Sequence, residues 1–293
     1  MPELPEVETI RRYLDTVLPG RQINDVKRLD ARMVKRSQLS TAEMCQKMTG
    51  LTIRAVSREG KFLFLRFGSH DALLLHLGMS GRLVTTSPDE PYRPHTHLVL
   101  GLQDLELRLV DPRRFGRIAW VGLDGSNRLS LGVDPLSRRF GQAALGAIMA
   151  GRSCAIKSAL LNQSLIAGLG NIYADESLFL AGVHPLRLAG SLSAEEVGRL
   201  ARAIPKVLRL ALRNRGTSFS DYVDALGHPG QNQQFLNVYG REGLDCPRCH
   251  TPISRLVIGG RSSHFCGQCQ PEANSKGAAV HLSFEGGASH AKV

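Results

Sequence analysis

An α+β chain in two domains, carrying a small metal-bound ribbon near its end, is what this sequence predicts. Three observations carry that. After one amphipathic helix, about a hundred residues read as short strands between turn signals. From about residue 125 the periodicity becomes helical. Four cysteines then fall in two CxxC pairs. At 293 residues, 42% of them hydrophobic, the chain is long enough for two cores and too apolar for a disordered polymer. No apolar run approaches the ~18 residues of a membrane span. The acidic start MPELPEVE lacks the apolar stretch of a signal peptide, so a cytosolic protein is expected.

In chain order, Pro5 opens a helix with Val7, Ile10, Leu14 and Val17 on one face. Glu6 and Glu8 lie in its first turn, where the helix dipole favours them, and Pro19-Gly20 ends it. Strands are expected at 52–57, 61–67, 72–77, 82–86, 97–102, 105–110 and 117–121. They are spaced by Gly, Asp, Ser and Pro turns, which suits a sandwich or flattened barrel. The N-terminal domain is placed at 1–122, a linker at 123–128 and the helical domain at 129–243. Within the latter, Ser193 and Glu196 form a capping box before Val197, Leu200, Ile204 and Leu208. Pro205 is expected to kink that helix and Gly216 to follow its end.

Cys246, Cys249, Cys266 and Cys269, with sixteen residues between the pairs, predict one structural Zn2+ held by four thiolates. No position is left for a reacting water. The segment 244–270 is too small to bury a core of its own, so the metal supplies its stability. Strands at 251–258 and 261–265 flank the Gly259-Gly260 turn, with His250 and His264 read as exposed. Arg261, just past the turn, suits either a phosphate contact or a solvated surface. Cys45 and Cys154 read as buried apolar thiols, and 271–293, rich in Gly, Ala, Ser and His, as a disordered tail.

The formal charge of +11 points to a polyanion, nucleic acid first. Pro2 is the residue with chemical promise. Removal of Met1 would expose a secondary amine, and α-amines titrate near ~8, well below lysine. Such an amine can attack a sugar C1′ and form an iminium, with Glu3 and Glu6 as general acid or base. Composition alone also fits a frayed terminus and simple dipole complementation.

At this point the residues resemble a family. MPELPEVETIRR at 1–12, GK at 60–61, HLGM at 76–79, DPRRFG at 111–116 and GLGNIYADE at 168–176 are similar to the bacterial formamidopyrimidine-DNA glycosylases. So are GTS at 216–218, DYVD at 221–224, VYGREG at 238–243 and the four-cysteine ribbon. Leu4 and the DPRRFG run favour this branch over endonuclease VIII.

The resemblance implies a helix–two-turn–helix in the helical domain. It implies a bifunctional DNA glycosylase and AP lyase of base excision repair, acting on oxidised purines in duplex DNA, as a monomer. Pro2 is then the nucleophile, Glu3 the proton donor to the sugar ring oxygen, and Glu6 the residue that positions the amine. Lys61, Asn171 and Arg261 would pinch the backbone phosphate, with His76 in the same cluster. Met79, Arg113 and Phe115 would fill the gap left by the flipped nucleotide, and Arg114 would contact a phosphate. Lys157 would lie near the flipped base. Thr217, Ser218 and Tyr222 would belong to a loop that closes over it through backbone amides. One departure from the family is Ser153, where a basic residue is common. A non-catalytic DNA-binding ribbon protein and a pyrimidine-directed glycosylase are the alternatives.

Overall fold

The computed structural model describes residues 1–68, 71–122, 129–219 and 222–272. The expected linker at 123–128 and nearly all of the expected tail lie outside them. Helix α1 (Leu4–Val17) is followed by eight strands: β1 (Asp25–Leu29), β2 (Ala55–Glu59), β3 (Phe62–Arg66), β4 (Asp71–His76), β5 (Arg82–Thr86), β6 (Thr96–Leu102), β7 (Leu105–Val110) and β8 (Arg117–Gly122). A short helix, α2 (Thr41–Met48), sits between β1 and β2. The strands form two four-stranded antiparallel sheets, in orders β1-β6-β7-β5 and β2-β3-β4-β8.

Leu63, Leu65, Leu73 and Leu75 from one sheet share a core with Leu98, Leu100, Leu107 and Leu109 from the other. The opposite face of β3–β4–β8 is buried too, through Phe64, Leu74, Ala119 and Val121. This is why those strands read as nearly continuous apolar runs.

The helical domain contains α3 (Gln142–Met149), α4 (Ile156–Leu161), α5 (Asn171–Ala181) and α6 (Ala194–Arg213). Ser193 accepts from the Glu196 amide at 3.2 Å and the Glu196 carboxylate returns the bond at 2.8 Å, so the capping box forms. Helix α6 runs from Ala194 to Arg213 with Pro205 inside it.

Helix α1 joins the two cores. Val7, Ile10 and Leu14 pack into the sandwich, whereas Leu4 belongs to the helical core with Leu160, Leu169 and Tyr173. Arg58 of β2 adds a polar tie, reaching Glu8 of α1 at 3.0 Å and Asp134 at 2.7 Å. The ends of the two layers therefore meet at the first turn of α1.

The ribbon is a two-stranded hairpin, β9 (Ser254–Ile258) and β10 (Arg261–Phe265). Gly259 and Gly260 both take positive φ, 55° and 73°, as a two-residue hairpin turn of this hand requires. Two expectations are corrected here. His264 is buried, its ring 5.1 Å from that of Tyr239. The lone thiols are not core residues: Cys154 is exposed and Cys45 half-buried.

Candidate active site at the start of the first helix

Glu3 precedes the first helical residue and is fully enclosed with Pro2. Its backbone N–H donates to Glu6 Oε2 at 2.8 Å. Its carboxylate lies on the N-terminus of α5, where Ile172 N–H donates to Oε1 at 3.0 Å. Leu4 N–H donates to the Gly168 carbonyl at 3.0 Å. Two glycines make this approach possible. A Cβ on Gly170 would stand 2.2 Å from Glu3 Cδ, and one on Gly168 would stand 2.8 Å from Leu4 Cβ.

Burial pushes the Glu3 carboxyl up to about 7, opposed by the Lys61 ammonium and raised further by Glu6. Glu6 is also held above the usual carboxylate range by burial. Its Oε1 accepts from Thr217 N–H at 2.8 Å and from the Tyr173 hydroxyl. A glutamic acid that keeps its proton near neutrality can donate it.

Lys61 follows Gly60, whose φ of 56° turns the chain into β3. It is only 7% exposed. Desolvation lowers its pKa, with Glu3 and Glu6 opposing and Arg261 adding to the drop. His76, beside Phe62 in the sheet with ring centroids 4.7 Å apart, accepts the Gly78 N–H on Nδ1 at 3.2 Å. Burial first, then Lys61 and Arg117, push it down to about 4. It is therefore neutral at physiological pH, and the bond at Nδ1 leaves the proton on Nε2.

Met79 (40% exposed) and Phe115 (53% exposed) stand on neighbouring loops outside the core. Those loops touch: a Cβ on Gly78, where φ is 60°, would lie 2.4 Å from the Phe115 carbonyl carbon. The Arg113 guanidinium lies over the Phe115 ring at 4.7 Å. Buried Asp111 shapes the second loop by accepting from Ser80 Oγ at 2.6 Å and Gly116 N–H at 2.8 Å. Arg114 is exposed, with a left-handed backbone.

The remaining expectations divide. Asn171 Nδ2 donates to the Ser262 carbonyl at 3.0 Å, which sets it against the ribbon strand that carries exposed Arg261. Lys157 differs from its expected placement as a DNA contact. It is 0% exposed, and its ammonium is engaged by Asp175 at 2.7 Å and the Ser262 carbonyl at 2.6 Å.

In the expected lesion loop, the Thr217 amide is taken by Glu6, and Tyr222 is a core residue whose hydroxyl donates to the Arg215 carbonyl at 3.2 Å. Ser218 Oγ ties the segment together, donating to the Tyr222 carbonyl at 2.7 Å and accepting from Gly230 N–H at 2.8 Å. Residues 220–221 lie outside the described part. Tyr173, whose hydroxyl reaches Glu6 and Thr217, is absent from the sequence-derived set. It sits in the GLGNIYADE run, but it stands two residues after Asn171 and so off that residue's helix face, and no pattern marks it.

The four ribbon sulfurs lie within 4.8 Å of one another, with Sγ–Sγ separations of 3.4 Å for Cys249–Cys266 and 3.8 Å for Cys246–Cys269. Bonds of about 2.3 Å to a tetrahedral zinc place its ligand sulfurs about 3.8 Å apart, so the set fits one structural Zn2+.

A sandwich and a helical domain that close on the N-terminus of one helix, beside a four-thiolate ribbon, define a two-domain, zinc-ribbon class. Models of the formamidopyrimidine-DNA glycosylase N-terminal domain and of its H2TH domain match residues 1–118 and 131–222. A model of the zinc finger found in FPG and IleRS matches 243–271. The chain belongs to the formamidopyrimidine-DNA glycosylase family. It is 42% identical to the formamidopyrimidine-DNA glycosylase of Herpetosiphon aurantiacus, over 92% of this chain and 100% of that one. It is 46% identical to that of Moorella thermoacetica, over 87% and 94%. The Lactococcus lactis enzyme, solved with abasic-site DNA, superposes with a TM-score of 0.86 at 34% identity, over 92% of this chain and 100% of that one.

Proposed function

We infer that this chain is a bifunctional DNA glycosylase and AP lyase of base excision repair, removing oxidised purines from duplex DNA through a Schiff base on Pro2. The observation that carries the residue assignment is Glu3: a buried carboxyl with its pKa raised to about 7, one residue from Pro2 and electrostatically coupled to Lys61. A related enzyme from Lactococcus lactis was solved with DNA containing Fapy-dG, which supports the substrate class.

The target nucleotide leaves the stack, because its C1′ is closed off inside a duplex. Phe115 and Met79, exposed on adjoining loops, enter the space it vacates, and Arg113 pairs with the orphaned base. With Met1 removed, the Pro2 nitrogen attacks C1′ and the damaged base departs with the glycosidic electron pair. The N–H proton that Pro2 then loses passes to that base, which leaves as the neutral species, and the nitrogen lone pair is restored. Glu3 gives its proton to the ring oxygen as the sugar opens, and the nitrogen lone pair closes to an iminium at C1′. Glu6 holds the first turn through the Glu3 N–H, which fixes the amine.

The iminium acidifies C2′. A base, the Glu3 carboxylate just formed, takes a C2′ proton, and the 3′ phosphate leaves with the C3′–O electrons. A second proton loss expels the 5′ phosphate, and water then releases Pro2 from the sugar remnant. Lys61 and Arg261 compensate the charge on the departing phosphates, and Asn171 and neutral His76 donate to them. Zinc, when bound, holds the ribbon that carries Arg261. The protein is proposed to act as a monomer in the cytoplasm.

Borohydride trapping tests the scheme. The expected result is a covalent adduct with an 8-oxoguanine duplex, lost in Pro2→Gly with a blocked terminus. Trapping that survives that change refutes the role of Pro2. A larger yield on thymine-glycol duplexes than on 8-oxoguanine refutes the purine assignment.

A further inference from the structure

Lys157 and Asp175 are both fully buried, on α4 and α5, and nothing in the reaction above uses them. What they do follows from the hairpin. In this two-residue turn, Arg261 faces Ile258 and the pair closes the ladder. Hydrogen-bonded and non-bonded pairs then alternate, so Ser262 and His264 occupy non-bonded positions. The Ser262 carbonyl and the His264 N–H therefore point away from β9 and need other partners.

The helical domain supplies both. The Ser262 carbonyl accepts from Lys157 Nζ at 2.6 Å and from Asn171 Nδ2 at 3.0 Å. His264 N–H donates to Asp175 Oδ2 at 2.9 Å, and Asp175 Oδ1 closes the circuit on Lys157 at 2.7 Å. The outer edge of β10 is thus bonded to a buried ion pair at two backbone positions, one of them adjacent to Arg261.

We propose that Lys157 and Asp175 are positioning residues that hold the ribbon strand against α5 and so set Arg261 at a defined place relative to Asn171. The inference rests on the reading that Arg261 and Asn171 act on the DNA backbone. Removing one member leaves the other charge buried and uncompensated, which costs stability whatever the role. The clean test is the double variant K157M/D175N. It buries no unpaired charge, keeps an acceptor for His264 N–H, and takes from the Ser262 carbonyl its charged donor.

With zinc content at one per chain and borohydride trapping retained, the double variant is expected to raise KM for a lesion duplex about tenfold. It should also let the β-elimination product accumulate over the β,δ product. Wild-type KM and product ratio overturn the proposal. A wild-type chain that itself fails to trap overturns the proposed function instead. A second measurement needs no variant. The His264 amide has no partner in β9, so its slow hydrogen exchange in the zinc-bound chain depends on Asp175. Protection equal to that of the α5 core is expected, and rapid exchange overturns the contact.

Discussion

Substituting Gly170 by alanine separates fold from chemistry with one methyl group. Gly170 precedes α5 with φ of −131°, an extended conformation open to any residue, so the backbone is not strained by a side chain. The obstacle is Glu3: the new Cβ would meet its Cδ at 2.2 Å and its carboxylate oxygens at 2.5 and 2.6 Å. Ordinary carbon contacts need about 3.5 Å or more, so the carboxylate must retreat by over an ångström. It ends a flexible side chain and can swing away without moving the backbone. The stability cost should be about 1–3 kcal/mol, because the overpacking is accompanied by the loss of the buried Ile172 N–H bond. Catalysis has no such escape. A displaced Glu3 loses the Ile172 N–H and its aim at the sugar, and a misplaced general acid forfeits about 10²–10⁴-fold in rate. The assay is single-turnover excision of 8-oxoguanine beside a thermal melt. A G170A chain excising at the wild-type rate would sink the placement of Glu3 as the proton donor.

Other outcomes follow from the same geometry. Glu3 keeps its proton to about pH 7 when folded and loses it near 4.5 when unfolded. The stability it contributes is full below pH 4.5 and is lost as pH rises through 7, a swing of about 3 kcal/mol at about 1.4 per pH unit. Base excision should fall above about pH 7 with it, and Glu3→Gln should flatten that limb of the stability profile; an unchanged profile contradicts the assignment. Chelation of zinc should melt the ribbon, whose Cys246 and Cys266 are buried against Ile253 and Phe179, and weaken DNA binding while the sandwich stays folded by circular dichroism. Phe115→Ala should leave the melting temperature within a degree or two, because the ring is 53% exposed, yet weaken lesion-duplex binding about tenfold in a filter or anisotropy assay.

How far the sequence reaches depends on which force shapes each element. Strands β5 and β7 coincide with their expected limits, because alternation and turn residues set both ends. Strand β1 escapes notice because Asp25–Leu29 is an edge strand with mostly exposed or half-buried residues, and so carries no apolar alternation. Helix α2 has a capping box, Ser40 with Glu43, but only Met44 and Met48 mark a buried face. Met79 and Phe115 look like core residues by composition; their exposure is decided by loops whose shape Asp111 sets through one distant bond, to Ser80, and one local bond, to Gly116. Lys157 misleads for the opposite reason. A lysine suggests a surface, and its burial depends on a carboxylate eighteen residues later and a carbonyl on the ribbon.

The GLGN turn at 168–171 is the sharpest case. As sequence, glycines before an asparagine at a helix start suggest a phosphate cradle. In the fold, Gly168 and Gly170 are small because Leu4 and Glu3 stand against them, and Gly216 is small because Glu6 does: a Cβ there would lie 2.9 Å from Glu6 Cγ. Three glycines from two distant segments thus form the socket for the first turn of α1. At the start of α5 the Ile172 N–H and the Tyr173 N–H both already meet the Glu3 carboxylate, at 3.0 and 3.5 Å. The Ile172 and Tyr173 amides of the helix terminus are therefore committed to holding the acid, and in the proposed reaction the phosphate falls to side chains: Lys61 from the sandwich, Asn171 from the helical domain and Arg261 from the ribbon. Each comes from a different unit, so a phosphate site assembled from them requires all three units docked at once.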